Sequence, residues 1–175
     1  LAFCHEEKFV YSTPNMKSLD NINITDKLSE EIKIPVYINK DVNFLILNDI
    51  EKNKIEKDKV TLGFYIGTGF GNAIYINGKT LEGKNGVAGE LGHIPVLGSV
   101  DKCSCGNTGC IEIYASGKSL QKILKEKFIN DNIEEVFTKH NNDEIIKQYI
   151  ETLAIPIATE INIFDPDYII IAGGV

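Results

Sequence analysis

Three of the four cysteines fall within the stretch CSCGNTGC, as Cys103, Cys105 and Cys110. His93, one of three histidines, stands ten residues upstream in GELGH. Clustered thiols in a C-x-C-x4-C spacing, with an imidazole as fourth donor, suit a tetrahedral zinc ion. Four protein ligands close the coordination sphere, so such a site is structural and leaves no open position for hydrolysis. Gly106 and Gly109 let the backbone turn around the ion. The competing reading is three buried or redox-active thiols that happen to be close. Cys103 and Cys105, one residue apart, are poorly placed for a mutual disulfide, and Cys4 is remote. Two carboxylates, Glu90 and Glu112, flank the cluster.

Two further groups have chemical potential. Asp41 follows the run VYIN at a helix start. Such an Asp is a common helix cap. It is equally a carboxylate at the end of a strand, where ligands of α/β sheets bind, and there it can take a proton from a hydroxyl attacking phosphorus. The segment GTGFG, Gly67 to Gly71, lies between two strand-like runs. It can present backbone N–H groups to a phosphate, or be a plain hairpin turn. It is not a Walker loop, since no Lys-Ser/Thr follows and no helix opens there. The terminal AGGV is a second glycine turn of the same ambiguity.

The elements around these groups alternate. EKFVY reads as a strand, TDKLSEEIK as a short helix with Thr25 as cap, and IPVYIN as a strand with Pro35 at its start. DVNFLILNDIEK places Val42, Leu45, Ile46 and Asp49 at helical spacing. NKIEKDK is a charged break and a candidate lobe boundary. VTLGFYIG and NAIYING read as strands with TGFG as their turn. SGKSLQKILKEKF puts Leu120, Ile123, Leu124 and Phe128 on one stripe. EIIKQYIETLAIPIATEINIF predicts a long helix bent at Pro156, and DPDYIII a turn into a buried strand. Alternating strands and helices predict an α/β fold.

Composition sets bounds. A chain of 175 residues, 43% hydrophobic and 25% charged, is long enough for a sizeable core. The net charge of −7 offers no basic footprint for nucleic acid or anionic lipid. No run approaches the ~20 apolar residues of a membrane span, and no signal-peptide pattern opens the chain. Clustered, metal-bound thiols predict a reducing cytoplasm, which argues against glycosylation at Asn23-Ile24-Thr25. His5 and His140 read as solvated. The first and last residues read as the middle of a longer protein.

The order Asp41, GTGFG, GVAGELGH, CSCGNTGCIE and IIIAGGV resembles the ROK family, sugar kinases and related sugar-responsive repressors. The resemblance runs from about STPN to the last residue. It implies the actin/hexokinase-like ATPase fold with ribonuclease H-like lobes, here partial: residues 1–58 from an N-terminal lobe and 59–175 from a C-terminal lobe. It implies Asp41 as catalytic base; Lys40, Asp41, Glu90, His93 and Glu112 as sugar-binding residues; and His93, Cys103, Cys105 and Cys110 as ligands of a structural zinc. Gly67, Thr68, Gly69 and Gly71 become the second phosphate loop, and Gly173 and Gly174 the adenosine-side glycines. Mg-ATP is the implied donor, a hexose the acceptor at its primary hydroxyl, and a homodimer the expected assembly. Lys40 stands where the family usually has Asn, which resembles the allose-kinase branch more than a plain glucokinase. The family's first phosphate loop is missing, so this fragment is not expected to act as a kinase by itself. Two alternatives stand beside the kinase: a ROK-type repressor carrying an N-terminal helix-turn-helix, and a bare zinc-stabilised binding module.

Overall fold

The computed structural model describes residues 2–4, 9–13, 16–128 and 131–175; His5 and the Pro-Asn of STPN lie outside them. β1 (Ala2–Cys4) and β2 (Phe9–Ser12) form an antiparallel pair. α1 (Ile24–Ile32) and α2 (Asp41–Asn53) follow. The main sheet has β3 (Thr61–Ile66), β4 (Phe70–Ile76), β5 (Lys79–Thr80) and, after α3 (Gly117–Lys127), α4 (Ile133–Lys139) and α5 (Glu144–Phe164), β6 (Tyr168–Gly173). Its order is β5-β4-β3-β6, with β6 parallel to β3 and the remaining pairs antiparallel.

Both faces of β3 are covered, because side chains alternate along a strand. Leu62, Phe64 and Ile66 join Phe70 and Ile74 on one face, where Leu153, Ile157 and Ile161 of α5 pack with Ile111 and Ala115. Tyr65 and, from β4, Ala73 and Tyr75 meet Val42, Ile46 and Ile50 of α2 on the other. A third cluster joins Leu120 and Leu124 of α3 to Val136 of α4 and to Ile146 and Tyr149 of α5. Polar and apolar residues thus fall as the helical period requires. Among the described residues no helix is long and apolar enough to cross a membrane.

Four local expectations are corrected. Asn23, not Thr25, caps α1: its side chain accepts the Asp26 N–H at 3.1 Å, and Thr25 lies inside the helix. IPVYIN forms no strand; Pro35 has no N–H, and the Val36 N–H goes to Ser29 Oγ at 3.0 Å instead of to a ladder. Among the described residues β6 lies at one side of the sheet, and Tyr168, Ile169 and Ile171 are exposed although the run is apolar. His140 is not freely solvated: it stacks on Phe128 at 3.9 Å and meets Asp131 at 2.9 Å. α4 lies in a stretch for which no element was expected, and α5 runs through Pro156.

Candidate functional site

The turn between β3 and β4 is anchored at both ends. The α3 amides of Gly117 and Lys118 donate to the carbonyls of Gly67, at 2.8 Å, and Thr68, at 3.3 Å. Phe70 N–H donates to Glu112 Oε2 at 2.9 Å. Among the described residues, the Thr68 and Gly69 amides have no acceptor, which leaves two donors for an anion. Gly67 faces open space, whereas a Cβ at Gly69 would stand 2.4 Å from Glu112 Oε2. A side chain at 69 would therefore have to push aside the Glu112 carboxylate that holds the Phe70 amide.

This turn borders a cavity of about 670 Å³. Lys40, Asp41, Glu90, His93 and Glu112 line it together with Gly67, Thr68, Gly69, Gly71 and Gly173. Residues far apart in sequence thus converge on one space. Gly174 does not reach it; it lines a neighbouring cavity with Gln121, Lys125 and Asp131. Asp41 is exposed and occupies the first position of α2, after Lys40 at the cap, and its Oδ1 accepts the Val42 N–H at 2.9 Å. Tyr65 O–H donates to Asp49 Oδ2 at 2.9 Å across the same cavity wall, tying α2 to β3.

Lys40 is only 4% exposed. Its ammonium donates to Ala88 O at 2.5 Å, Gly89 O at 3.4 Å and Glu90 Oε1 at 3.2 Å. All three donors of the group are engaged, in keeping with the rule that buried charges are paired. The other Glu90 oxygen, Oε2, lies 3.8 Å from His93 Nε2.

His93 looks two ways. Its Nδ1 is 3.7 Å from Cys103 Sγ, and Cys105 Sγ is 3.6 Å from Cys110 Sγ. The four ligand atoms lie within 4.8 Å of one another. A tetrahedron with metal–sulfur bonds of 2.3 Å and a metal–nitrogen bond near 2.0 Å has edges of about 3.6–3.8 Å. The cluster therefore has dimensions that can hold a metal ion. Backbone bonds brace its loop: Cys103 N–H to Asn107 O at 2.9 Å, Gly109 N–H to Asp101 O at 2.7 Å, and Val96 N–H to Gly109 O at 2.7 Å. The thiols do not ionise alike. Burial pushes Cys110 up to about 12, helped by the neighbouring thiols. Burial also opposes ionisation of Cys103, but hydrogen bonds from Cys105, Cys110 and His93 outweigh it and lower the group to about 7.

The ROK family model matches residues 3–175. The chain belongs to the ROK family. It is 32% identical over 188 residues to a glucokinase of Halalkalibacterium halodurans, covering 95% of this chain and 57% of that protein. It is 30% identical over 190 residues to an N-acetyl-D-glucosamine kinase of Histophilus somni, covering 98% and 62%. The chain thus spans less than two thirds of these relatives' length. A ROK hexokinase structure from Thermus thermophilus superposes with a TM-score of 0.78 at 24% identity, over 99% of this chain and 59% of that one. The fold is accordingly part of the actin/hexokinase-like ATPase fold, as the motifs implied.

Two residues at the cavity were not anticipated. Asn72 of β4 lines it, and Glu160 of α5 stands behind Asn72. The signal was present: Asn72 interrupts an apolar strand, and Glu160 is the one charged residue between Thr152 and Phe164.

Proposed function

We propose that the protein containing this chain is an ATP-dependent sugar kinase that phosphorylates a hexose at its primary 6-hydroxyl. The observation that carries this reading is the convergence of Asp41, Glu90, His93, Glu112 and the anchored GTGFG turn on one cavity. Phosphoryl transfer needs positioning and charge stabilisation more than covalent chemistry. The free amides of Thr68 and Gly69 suit the phosphates of Mg-ATP. Glu90 and Glu112 accept hydrogen bonds from sugar hydroxyls, and His93 presents Nε2 to them. Asp41, exposed at the cavity edge, accepts the proton of the attacking hydroxyl.

Zinc is the ion we assign to His93, Cys103, Cys105 and Cys110, because three thiol donors and an imidazole at tetrahedral spacing suit it. When bound it supplies structure and no chemistry of the reaction. His93 then binds through Nδ1, which fixes the ring and leaves Nε2 directed at Glu90. Residues 1–58 and 59–175 are assigned to the two lobes, and the thiol cluster to a reducing, cytoplasmic setting.

The test is Asp41→Asn in the full-length protein. The Val42 N–H bond needs only an acceptor at Oδ1, which Asn supplies, so the fold should be kept. Turnover should fall at least ~10²-fold, the scale for removing a positioned base. Sugar binding, read by calorimetry with glucose, allose and N-acetylglucosamine, should persist. Near wild-type turnover would remove Asp41 from the chemistry, whereas a full-length wild type that binds sugar without turnover would favour a sugar-responsive repressor.

A further inference from the structure

The start of α2 grips the segment from Glu82 to Glu90 at both ends. Residues 81–90 belong to no helix or strand. At one end Asn39 Nδ2 donates to Glu82 Oε1 at 2.7 Å. At the other the Lys40 ammonium donates to Ala88 O at 2.5 Å, Gly89 O at 3.4 Å and Glu90 Oε1 at 3.2 Å. The Ala88 N–H closes the segment on Glu82 O at 3.0 Å. Among the described residues no backbone amide donates to Ala88 O or Gly89 O, so the ammonium is what satisfies both carbonyls.

We propose that Lys40 is a positioning residue of the sugar site, which docks the Gly89–Glu90 wall onto the start of α2 and so holds Glu90 and Asp41 as one unit. The inference rests on the sugar-kinase reading of the cavity. Lys40 is then not itself a ligand for hydroxyls.

The donors of the ammonium make the first part of the case. It has three N–H groups and no acceptor, and all three are engaged. A sugar hydroxyl would bond Lys40 only by displacing a carbonyl or Glu90. The backbone of Lys40 makes the second part. It caps α2: its carbonyl accepts the Asn43 N–H at 3.1 Å and the Phe44 N–H at 3.4 Å, and its own N–H goes to Asn39 Oδ1 at 2.8 Å. Asp41 follows by one peptide bond and cannot shift independently. One residue thus holds Asp41 through its backbone and, 50 positions away, Glu90 through its side chain. Glu90 is turned by two groups, Lys40 at Oε1 and His93 Nε2, 3.8 Å from Oε2. Each oxygen keeps a further lone pair for a hydroxyl. An apolar side chain would fill the place of Lys40 without desolvating a charge, so the ion pair contributes orientation more than stability. Glu90 is 40% exposed at the side chain, so water can replace the ammonium if Lys40 is lost.

The test compares Lys40→Met, Glu90→Gln and the double variant in the full-length protein. The readouts are calorimetric binding of whichever of glucose, allose and N-acetylglucosamine the wild type binds most tightly, kcat, the Michaelis constants for sugar and ATP, urea denaturation, and amide exchange over residues 86–93 without ligand. Lys40→Met should fold, weaken sugar binding about tenfold and lower kcat about tenfold or more, with the ATP constant within about twofold of wild type. On the Glu90→Gln background the same substitution should weaken binding less than about threefold, because both act through one carboxylate. Ligand-free exchange over 86–93 should rise about tenfold. A lysine that held a hydroxyl itself would leave that exchange unchanged and weaken binding by the same factor on both backgrounds; either result overturns the proposal. So does lowered stability with the sugar constant unchanged, the behaviour of a purely structural residue. Should Lys40→Met not fold, Lys40→Gln, which keeps N–H donors for the carbonyls but no charge for Glu90, carries the same comparisons. If the wild type binds none of the three sugars, the sugar-kinase reading fails by itself; ligand-free exchange then decides the docking role, a rise in Lys40→Met supporting it and no change overturning it.

Discussion

Glu160→Gln should make the protein less sensitive to alkali. Burial raises the Glu160 carboxyl from 4.5 to about 7, opposed by the Asn72 hydrogen bond and the Lys40 charge. The native state therefore keeps a proton that the unfolded chain loses above about pH 4.5. Unfolding releases that proton, so stability falls as pH rises between these values and levels off above pH 7. The difference between 4.5 and about 7 corresponds to roughly 3 kcal/mol across the window. Glu160 is 4% exposed, so solvent screening does not erase the effect. Gln has the shape of the protonated acid and does not titrate. Urea denaturation of both proteins from about pH 5 to 8 should show similar stabilities at the acid end, with the variant ahead by about 3 kcal/mol at the alkaline end. Comparing the two at each pH cancels every other titrating group, the thiol cluster included. A difference that stays constant over the range would show that Glu160 is ionised throughout and that Lys40 neutralises it fully.

Two other outcomes follow from the site. Cys103→Ser should remove bound zinc, measured by elemental analysis against a stoichiometric wild type, and should lower the melting temperature, because structural zinc contributes ~10–16 kcal/mol of apparent binding energy to its loop. Gly69→Ala puts a Cβ 2.4 Å from Glu112 Oε2 and must displace the carboxylate or the turn; kcat/KM for both sugar and ATP should fall by about tenfold or more, and retention of both would show that Glu112 holds neither ligand nor loop.

Much of the site was readable along the chain because it is built from local devices. The C-x-C-x4-C spacing depends on one loop, and the structure brings His93 to it within a tetrahedral edge. The stripe Leu120, Ile123, Leu124 and Phe128 packs as the helical period implies. IPVYIN shows the limit of local reading: its composition suits a strand, but no neighbouring strand offers it a ladder. Asn72 and Glu160 show a second limit. They are 88 residues apart and become partners only when α5 lies across the sheet. The strand run of β6 was visible, whereas its exposure depends on which side of the sheet receives a neighbour.

Glu112 explains why a cluster outside the chemistry is built so close to it. Cys110 ends the thiol loop, and the turn Ile111–Ile113 begins at the next residue. Ile111 and Cys110 are buried, so this turn cannot rotate freely against the sheet. Glu112 projects from it and accepts the Phe70 N–H. The far end of the Gly67–Gly71 turn is held from nearby in the chain, since Gly117 at the start of α3 donates to Gly67 O. A displacement of Cys110 must therefore move Glu112, and with it both the cavity wall and the β3–β4 turn whose Phe70 amide it holds. His93 provides a second connection, from the cluster through its ring to Glu90, which also lines the cavity. Loss of the cluster should accordingly disturb both sides of the cavity together, the Glu90 side through His93 and the Gly67–Gly71 side through Glu112.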